Sequence, residues 1–581
     1  MTNLSQQKRE RMLAFLNKIK AEHQDDDKTL QALDEIETEL NSKKYGLVWE
    51  KHEEQVDVMM QDNIPVFSEV QEREIKATDE NAYNFLLEGD NLHSLKLLEK
   101  THAGKIDVIY IDPPYNTGNN DFIYDDNYIG SDDGYRHSKW ISFMNERLKI
   151  AKQLLSKQGF IFISIDDNEL SQLKILCDEI FDEKKFLSII TVETSLGIFG
   201  PKAKHVRKSI IKNKDYLVCY SMNKESIDLN PLYTKSKTLF DTHYTWFKDE
   251  NTEMPLVEFL KSNDEIVKLA KQVNLEVTIS NLNKLMEIFP EVNNIIINNA
   301  KNIFRIRDYT LNIPEKYKKE IDSGLKLKIN DVFVYKDNNK YLYLHPWEKM
   351  INKTDDFKSE VVSSVMVGDL WKGYNDDMGN IGKEGNVKFS NGKKPTRLLK
   401  NILKIINNKS ATALDFFAGS GTTAHAVLEL NKEDGGNRKF ILCTNNENNI
   451  CEEVTYERIK SVINGYADVE GIPANLKYFK TDFVSKDTDD VSSELLEHIK
   501  EMVELENGIT LDNKHYLIVL TDEEADALAK NWSSYEDVRA IYVSRDVLLT
   551  TEQQACFAGA EIHVIPDYYF EYELKEVGEA W

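Results

Sequence analysis

Asp112-Pro113-Pro114-Tyr115 is the segment of this chain best suited to chemistry. A carboxylate, two residues without a backbone N–H and an aromatic ring follow one another directly. Such a set suits an exocyclic amine whose lone pair is delocalised into a ring, as in adenine N6. That nitrogen is a poor nucleophile, and two acceptors at its two hydrogens pull it toward a tetrahedral shape. The Asp112 carboxylate supplies one acceptor and the Pro113 carbonyl the other, while proline offers no competing donor. Hydrogen bonds to a charged acceptor are worth about 1.5–3 kcal/mol each. Tyr115 gives a flat face for the base, and such stacking is worth about 1–3 kcal/mol. The plain alternative is a strand end and a proline turn with a solvated aspartate.

The second signal is Asp415-Phe416-Phe417-Ala418-Gly419-Ser420-Gly421-Thr422-Thr423. Gly419 and Gly421 flank Ser420 and let a ligand approach the backbone, and a helix start offers free N–H groups to a phosphate or a carboxylate. No GxxxxGK[ST] sequence occurs, so a P-loop ATPase is not expected. His102, His137, His205 and His425 lack metal-ligand spacing and read as packing or surface residues. Asp166-Asp167 read as a solvated strand end rather than metal ligands. Pro566-Asp567 with Glu573-Leu574-Lys575 mimics a nuclease metal site, but the two acids lie too close in sequence for ligands on paired strands.

The elements around these motifs read as α/β. Ile106 to Ile111 is a short apolar run stopped by prolines, as a buried parallel strand would be. A helix is expected over Trp140 to Leu155, a strand over Phe160 to Ile165 and a helix over Glu169 to Ile180. Strand and helix alternate again from Thr412, with a helix over Ala424 to Leu430 and a strand over Lys439 to Cys443. This alternation predicts a doubly wound parallel sheet, which binds ligands at the carboxyl ends of its strands. Residues 1–50 read as helix. Residues 223–365, rich in Asn and Lys with irregular apolar spacing, interrupt the alternation as an inserted domain. A small acidic α/β unit is expected from about residue 486.

The chain has 581 residues, 41% apolar and 30% charged, which suggests about four units and excludes collagen, a disulfide mini-protein and bulk disorder. No run of 18 apolar residues and no signal-peptide pattern occurs, and the five cysteines are scattered. A cytosolic protein with reduced thiols and no membrane span is expected. The net charge of −26 argues against nucleic acid when taken whole. Its distribution argues otherwise. Asp482 to Trp581 carry 7 Lys+Arg against 24 Asp+Glu, whereas Asn223 to Val365 carry 21 against 22. Glu193 to Met222 hold six basic residues against two acids. A local basic surface in the middle of the chain is compatible with phosphate contact.

Together DPPYNTG (Asp112 to Gly118), DFFAGSGTT (Asp415 to Thr423) and KKPTRLLKNIL (Lys393 to Leu403) resemble the amino-methyltransferases that use S-adenosylmethionine. The catalytic motif precedes the cofactor motif with an insertion between, the order of the β class of DNA adenine-N6 methyltransferases. DPPYNTGNNDFIYDD, FISIDDNE and FILCTNNENNICEEVTYERI resemble more closely the modification (Mod) subunits of type III restriction–modification systems. The resemblance covers about residues 45–222 and 365–485, plus the ending IPDYYF.

It implies a Rossmann-like methyltransferase sheet in two parts, 51–222 and 366–485, around a target-recognition domain at 223–365. A helical segment at 1–50 and an acidic C-terminal α/β domain at 486–581 flank it. Asp112, Pro113, Pro114 and Tyr115 would be catalytic, by the same resemblance. Asp90, Lys394, Asp415, Phe417, Ala418, Gly419, Ser420, Gly421 and Thr422 would line S-adenosyl-L-methionine. Relatives grip the ribose with an acid near Thr444; here Glu447 is the nearest substitute. No metal is implied. Double-stranded DNA, a second copy of the chain and a Res subunit carrying the ATPase and endonuclease would be partners, in the bacterial cytoplasm and at the nucleoid when bound to DNA. The aromatic run Tyr568-Tyr569-Phe570 is expected to serve a protein contact. The alternatives are a solitary methyltransferase, a docking subunit with little catalysis of its own, or methylation of a protein glutamine or an RNA base.

Overall fold

The computed structural model describes residues 4–22, 27–41, 49–50, 52, 54–118, 121, 123–124, 127–130, 133–195, 210, 212–310, 312–329, 332–379, 381–387, 392–566 and 569–578. Its central sheet contains β1 (Asn63–Glu69), β2 (Tyr83–Glu88), β3 (Ile106–Ile111), β4 (Leu155–Ile165) and β5 (Phe186–Glu193). The other strands are β6 (Lys214–Ser221), β7 (Leu370–Trp371), β8 (Thr412–Asp415), β9 (Lys439–Thr444) and β10 (Asn475–Ser485). The order across the sheet is β1-β10-β2-β9-β8-β3-β4-β6-β5-β7. From β10 to β4 every neighbouring pair is parallel. The edges are antiparallel at β1 with β10 and at β6 with both β4 and β5. β3 and β8, which end in the two motifs, lie side by side.

Alternate residues of these strands feed two apolar layers, as a sheet covered on both faces requires. Ile109 and Ile111 pack on one face with Leu95, Trp140 and Leu173 from α1 (Asn91–His102), α2 (Arg136–Leu154) and α3 (Leu170–Cys177). Val108 and Tyr110 pack on the other with Leu399, Ala426 and Ile459 from α4 (Thr396–Ile405), α5 (Thr422–Asp434) and α6 (Glu457–Asn464). The doubly wound reading is therefore met. Helix α5 runs past the expected Ala424 to Leu430 at both ends, because left-handed Gly421 and Gly435 start and stop it. The helix expected to reach Ile180 ends at Cys177 and continues as a wider π turn, Asp178–Asp182.

The inserted residues build a six-stranded antiparallel sheet, from Trp246–Lys248 to Lys340–Pro346, with helices such as Asp264–Gln272 and Ile279–Ile288. They have their own core, in which Trp347, Tyr244, Leu256 and Ile296 are fully buried. The segment Val361–Met366 pairs back with Tyr233–Lys235, so the insert closes on itself one residue beyond the expected 365. The chain then rejoins the central sheet as β7, beside β5.

The C-terminal residues form a three-stranded parallel sheet, Tyr516–Val519, Ala540–Val543 and Glu561–Val564. The expectation for its aromatic run is corrected. Tyr569 and Phe570 are buried in the same apolar layer as β1, β2 and α1, so these rings serve the chain's own core rather than a partner; Tyr568 lies outside the described residues. At the other end, helices Leu4–Glu22 and Asp27–Asn41 are joined by Lys20 with Asp34 and Glu37. Among the described residues no helix is long and apolar enough to cross a membrane.

Candidate active site

β3 delivers Asp112 to the carboxyl edge of the sheet, where Pro113 and Pro114 end strand pairing. The Asp112 Oδ1 lies 3.2 Å from Lys394 Nζ, which donates a hydrogen bond of 2.6 Å to the Tyr115 hydroxyl. The same ammonium sits 4.8 Å from the Tyr115 ring centroid. Burial raises the Asp112 carboxyl above its usual range, and Lys394 opposes that shift. Lys394 and the Tyr115 hydroxyl both act as donors on this buried carboxylate. Trp140 Nε1 donates to the Pro114 carbonyl at 2.7 Å, so that carbonyl is engaged within the fold.

A chain of alternating charges extends from this pair. Asp215 Oδ2 is 3.8 Å from Lys394, and Asp215 Oδ1 is 3.0 Å from Lys212. Lys212 reaches Asp166 at 2.8 Å and lies 5.7 Å from the Tyr115 ring centroid. Asp167 pairs with Lys214 at 2.8 Å. Asp166 is buried and anchors Lys212, where a solvated side chain was expected; Asp167 pairs with Lys214 and stays exposed, as expected. The described residues contain no group of three His, Cys, Asp or Glu able to hold a metal. Glu573 of the nuclease-like pattern is engaged by Lys100 at 2.6 Å, and Asp567 lies outside the described residues.

β8 delivers the glycine loop beside β3. Asp415 Oδ1 accepts from the Phe417 N–H at 3.0 Å, and Oδ2 accepts from the Thr423 hydroxyl at 2.5 Å. Burial pushes its carboxyl up to about 7. The Ala418 N–H donates to the Cys443 carbonyl at 3.1 Å, tying the loop to β9. Gly419 and Gly421 both take left-handed φ, 48° and 72°. At Gly421 a Cβ would come within 3.2 Å of Thr455 Cγ2, so the turn favours glycine twice over.

Ser420 and Thr422, predicted as cofactor residues, turn inward. Fully buried Arg458 donates to Ser420 Oγ at 3.2 Å, to Thr422 Oγ1 at 2.7 Å and to Thr396 Oγ1 at 3.0 Å. Thr422 Oγ1 also donates to the Lys394 carbonyl at 3.3 Å. These hydroxyls brace the loop and fasten it to α4, so Lys394 links the two motifs: its backbone meets one and its ammonium the other.

Asp90 caps α1 by accepting from the Leu92 N–H at 2.7 Å, and about a third of its side chain is exposed. Buried Arg147 donates to Asn91 at 2.5 Å, to Glu54 at 2.7 Å and more weakly to Asp90 at 3.5 Å. Asn91 in turn donates to the Phe416 carbonyl at 2.9 Å, joining Asp90's turn to the glycine loop. Phe143 faces Phe417 with ring centroids 5.8 Å apart. An exposed carboxylate, an aromatic wall and, beyond the loop, an ammonium form a donor set that fits an adenosyl amino acid. Glu447 follows β9 at the same edge of the sheet, exposed, on the short turn Glu447–Asn449. Lys212, Asp215, Arg147 and Arg458 went unnoticed in the sequence, where a single charged residue gives no spacing signal.

Residues 106–456 match the N6/N4 methyltransferase family, described as DNA methylase. That stretch is more than half of the 581 residues, and the chain belongs to this DNA methylase family. The HindVI Mod subunit of Haemophilus influenzae, described as a probable type III restriction–modification enzyme, is 31% identical over 66% of this chain and 51% of its own length. This chain thus spans about half of that relative. The type III EcoPI Mod subunit of Escherichia phage P1 is 28% identical over 94% of this chain and 86% of its own length. The type II methyltransferase M.KpnI of Klebsiella pneumoniae is 30% identical over 62% and 79%.

Proposed function

We propose that this chain transfers the methyl group of S-adenosyl-L-methionine to adenine N6 in double-stranded DNA, as the modification and recognition subunit of a type III restriction–modification system. One observation carries the chemistry: Asp112 and Tyr115 stand at the end of one parallel strand, the glycine loop stands at the end of the next, and Lys394 touches both. S-adenosyl-L-methionine bound there supplies an electrophilic methyl group. Asp90 and Phe417 would hold its adenosine end and Lys394 its carboxylate. Glu447 is the candidate for the ribose.

The target base must leave the stack, at a cost of a few kcal/mol. Asp112 and the Pro113 carbonyl then accept from the two N6 hydrogens, and Tyr115 supports the ring. The displacement is in line, so orientation and fixed charge outweigh any general base. Asp rather than Ser at the head of the motif favours adenine N6 over cytosine N4.

Residues 223–365 serve as the target-recognition domain in this reading, with polar side chains on base edges and Lys/Arg on phosphates. The near end-to-end match to the EcoPI Mod subunit supports type III membership. In this reading a Res subunit is a partner, and the chain forms a homodimer in which one protomer reads DNA while the other methylates. The match to M.KpnI favours a second reading, a methyltransferase that works without Res. Co-purification with the product of a neighbouring P-loop helicase gene separates the two. Light scattering of the full chain at micromolar concentration tests the dimer, and a monomer would contradict it.

A further inference from the structure

Asn116 directly follows the catalytic loop. It is fully buried and left-handed, with φ 54°. Its Nδ2 donates to Glu169 Oε1 at 2.6 Å and to the Arg136 carbonyl at 3.2 Å. Glu169, at the entry to α3, has no exposed surface, and His137 Nδ1 of α2 lies 2.6 Å from the same Oε1. Among the described residues, Glu169 Oε2 and Asn116 Oδ1 are buried and have no hydrogen-bond partner.

The other groups around Glu169 give an anion little relief. Asp166, at the end of β4, is a like charge, although Lys212 neutralises it in part. Among the described residues Arg136 is the cation that lowers the Glu169 pKa, and its guanidinium lies 3.5 Å from the Asn116 carbonyl. Gln172, on α3, meets His137 at 3.4 Å. A nitrogen and an oxygen 2.6 Å apart need one proton between them. Burial pushes the Glu169 carboxyl up to about 8 and lowers the His137 imidazole, so both groups favour their neutral forms near pH 7.

We propose that Glu169 is a positioning residue for methyl transfer: sharing one proton with His137, it grips Asn116 and so fixes the path of Pro113, Pro114 and Tyr115 as they leave β3. Trp140 holds the same loop from α2 through the Pro114 carbonyl. This inference rests on the methyltransferase reading. A misplacement of about 1 Å at a reacting group costs up to roughly 10²-fold in rate.

The test compares Glu169→Ala, Glu169→Gln and wild type in steady-state methylation of DNA from pH 6 to 9.5. Glu169→Ala is expected to lower kcat about 10–100-fold with KM for S-adenosyl-L-methionine unchanged. Glu169→Gln, a neutral acceptor of the same shape, is expected to restore most of kcat. It should also remove the alkaline activity loss expected of wild type as Glu169 ionises through about pH 8. Wild-type kcat in the Ala variant, equal losses in the Ala and Gln variants, or an alkaline limb that survives in Glu169→Gln would each overturn the proposal. Wild type inactive on DNA would instead overturn the methyltransferase reading. Should circular dichroism show that Glu169→Ala does not fold, Asn116→Ala breaks the same bond from the loop side. It should lower kcat alike, and adding Glu169→Gln should cost nothing more; an additive loss contradicts the clamp.

Discussion

The catalytic sheet and the inserted unit store their polar groups in opposite ways. Around β3 and β8 the charges are inside. Arg147 and Arg458 are unexposed, and each is held by several acceptors. In the insert the fully buried side chains are apolar, Trp347 and Leu260 among them, while Lys248, Lys326 and Lys336 meet Glu253 and Asp322 near the surface. Burying a paired charge gains little stability over an apolar core. Its use is to fix direction, which a site aligning a carboxylate, a carbonyl and a leaving group requires. A unit that presents one face to a partner can rest on apolar packing and leave its polar surface free to vary.

The sharpest break of this contrast is Asp112→Ala. It should lower methylation by roughly 10³-fold or more, because it removes a fixed charge at the reacting amine. Cofactor affinity, read by calorimetry, should stay close to wild type; a parallel loss would mean the two strand ends form one inseparable unit. Next is Trp347→Ala, which should destabilise the insert by about 3–5 kcal/mol. Hydrogen exchange should then rise within residues 223–365 and remain slow in β3 and β8. Exchange rising equally in both regions would refute their independence. Replacing residues 223–365 by those of a relative should move the methylated sequence to the donor's site and preserve kcat, and a site that stays with the scaffold would refute the assignment.

Smaller effects sharpen the electrostatics. Lys394→Met removes the cation that opposes the upward shift of Asp112. The acid limb of kcat should move to higher pH, because the carboxylate loses the charge that favours its ionised form. An unmoved limb would show that Lys394 does not govern Asp112. Asp415 binds its proton more tightly folded than unfolded, so its ionisation costs stability as pH rises from about 4 through about 7. Asp415→Asn should therefore gain stability relative to wild type between pH 4 and pH 8, by up to about 4 kcal/mol for a shift of about three units. Denaturant melts at the two values check the sign.

Legibility in the sequence follows the same division. The loops at Asp112 and Asp415 were readable because proline, glycine and carboxylate occur there in contiguous sets whose chemistry limits the choice. The strands were readable because parallel, doubly covered strands are continuous apolar runs. Glu169, Lys212, Asp215 and Arg458 were not, since each acts through a contact made by folding across tens or hundreds of residues. Arg458 to Ser420 spans 38 positions, and Lys394 to Tyr115 spans 279. The contacts of the Ser420 and Thr422 hydroxyls were hidden for the same reason, since Arg458 reaches both from far along the chain. The insert's strands hid behind irregular spacing. The aromatic pair Tyr569 and Phe570 misled, since composition alone cannot distinguish an aromatic run that docks a partner from one that closes its own core.

The central claim, methyl transfer to adenine N6 at Asp112, is tested most directly by identifying the product. Duplex DNA incubated with the purified chain and S-adenosyl-L-methionine labelled at the methyl group is digested to nucleosides and read by mass spectrometry, with Asp112→Ala in parallel. The account predicts labelled N6-methyldeoxyadenosine from wild type and none from the variant. Labelled N4-methyldeoxycytidine, or equal N6-methyldeoxyadenosine from both proteins, would contradict it.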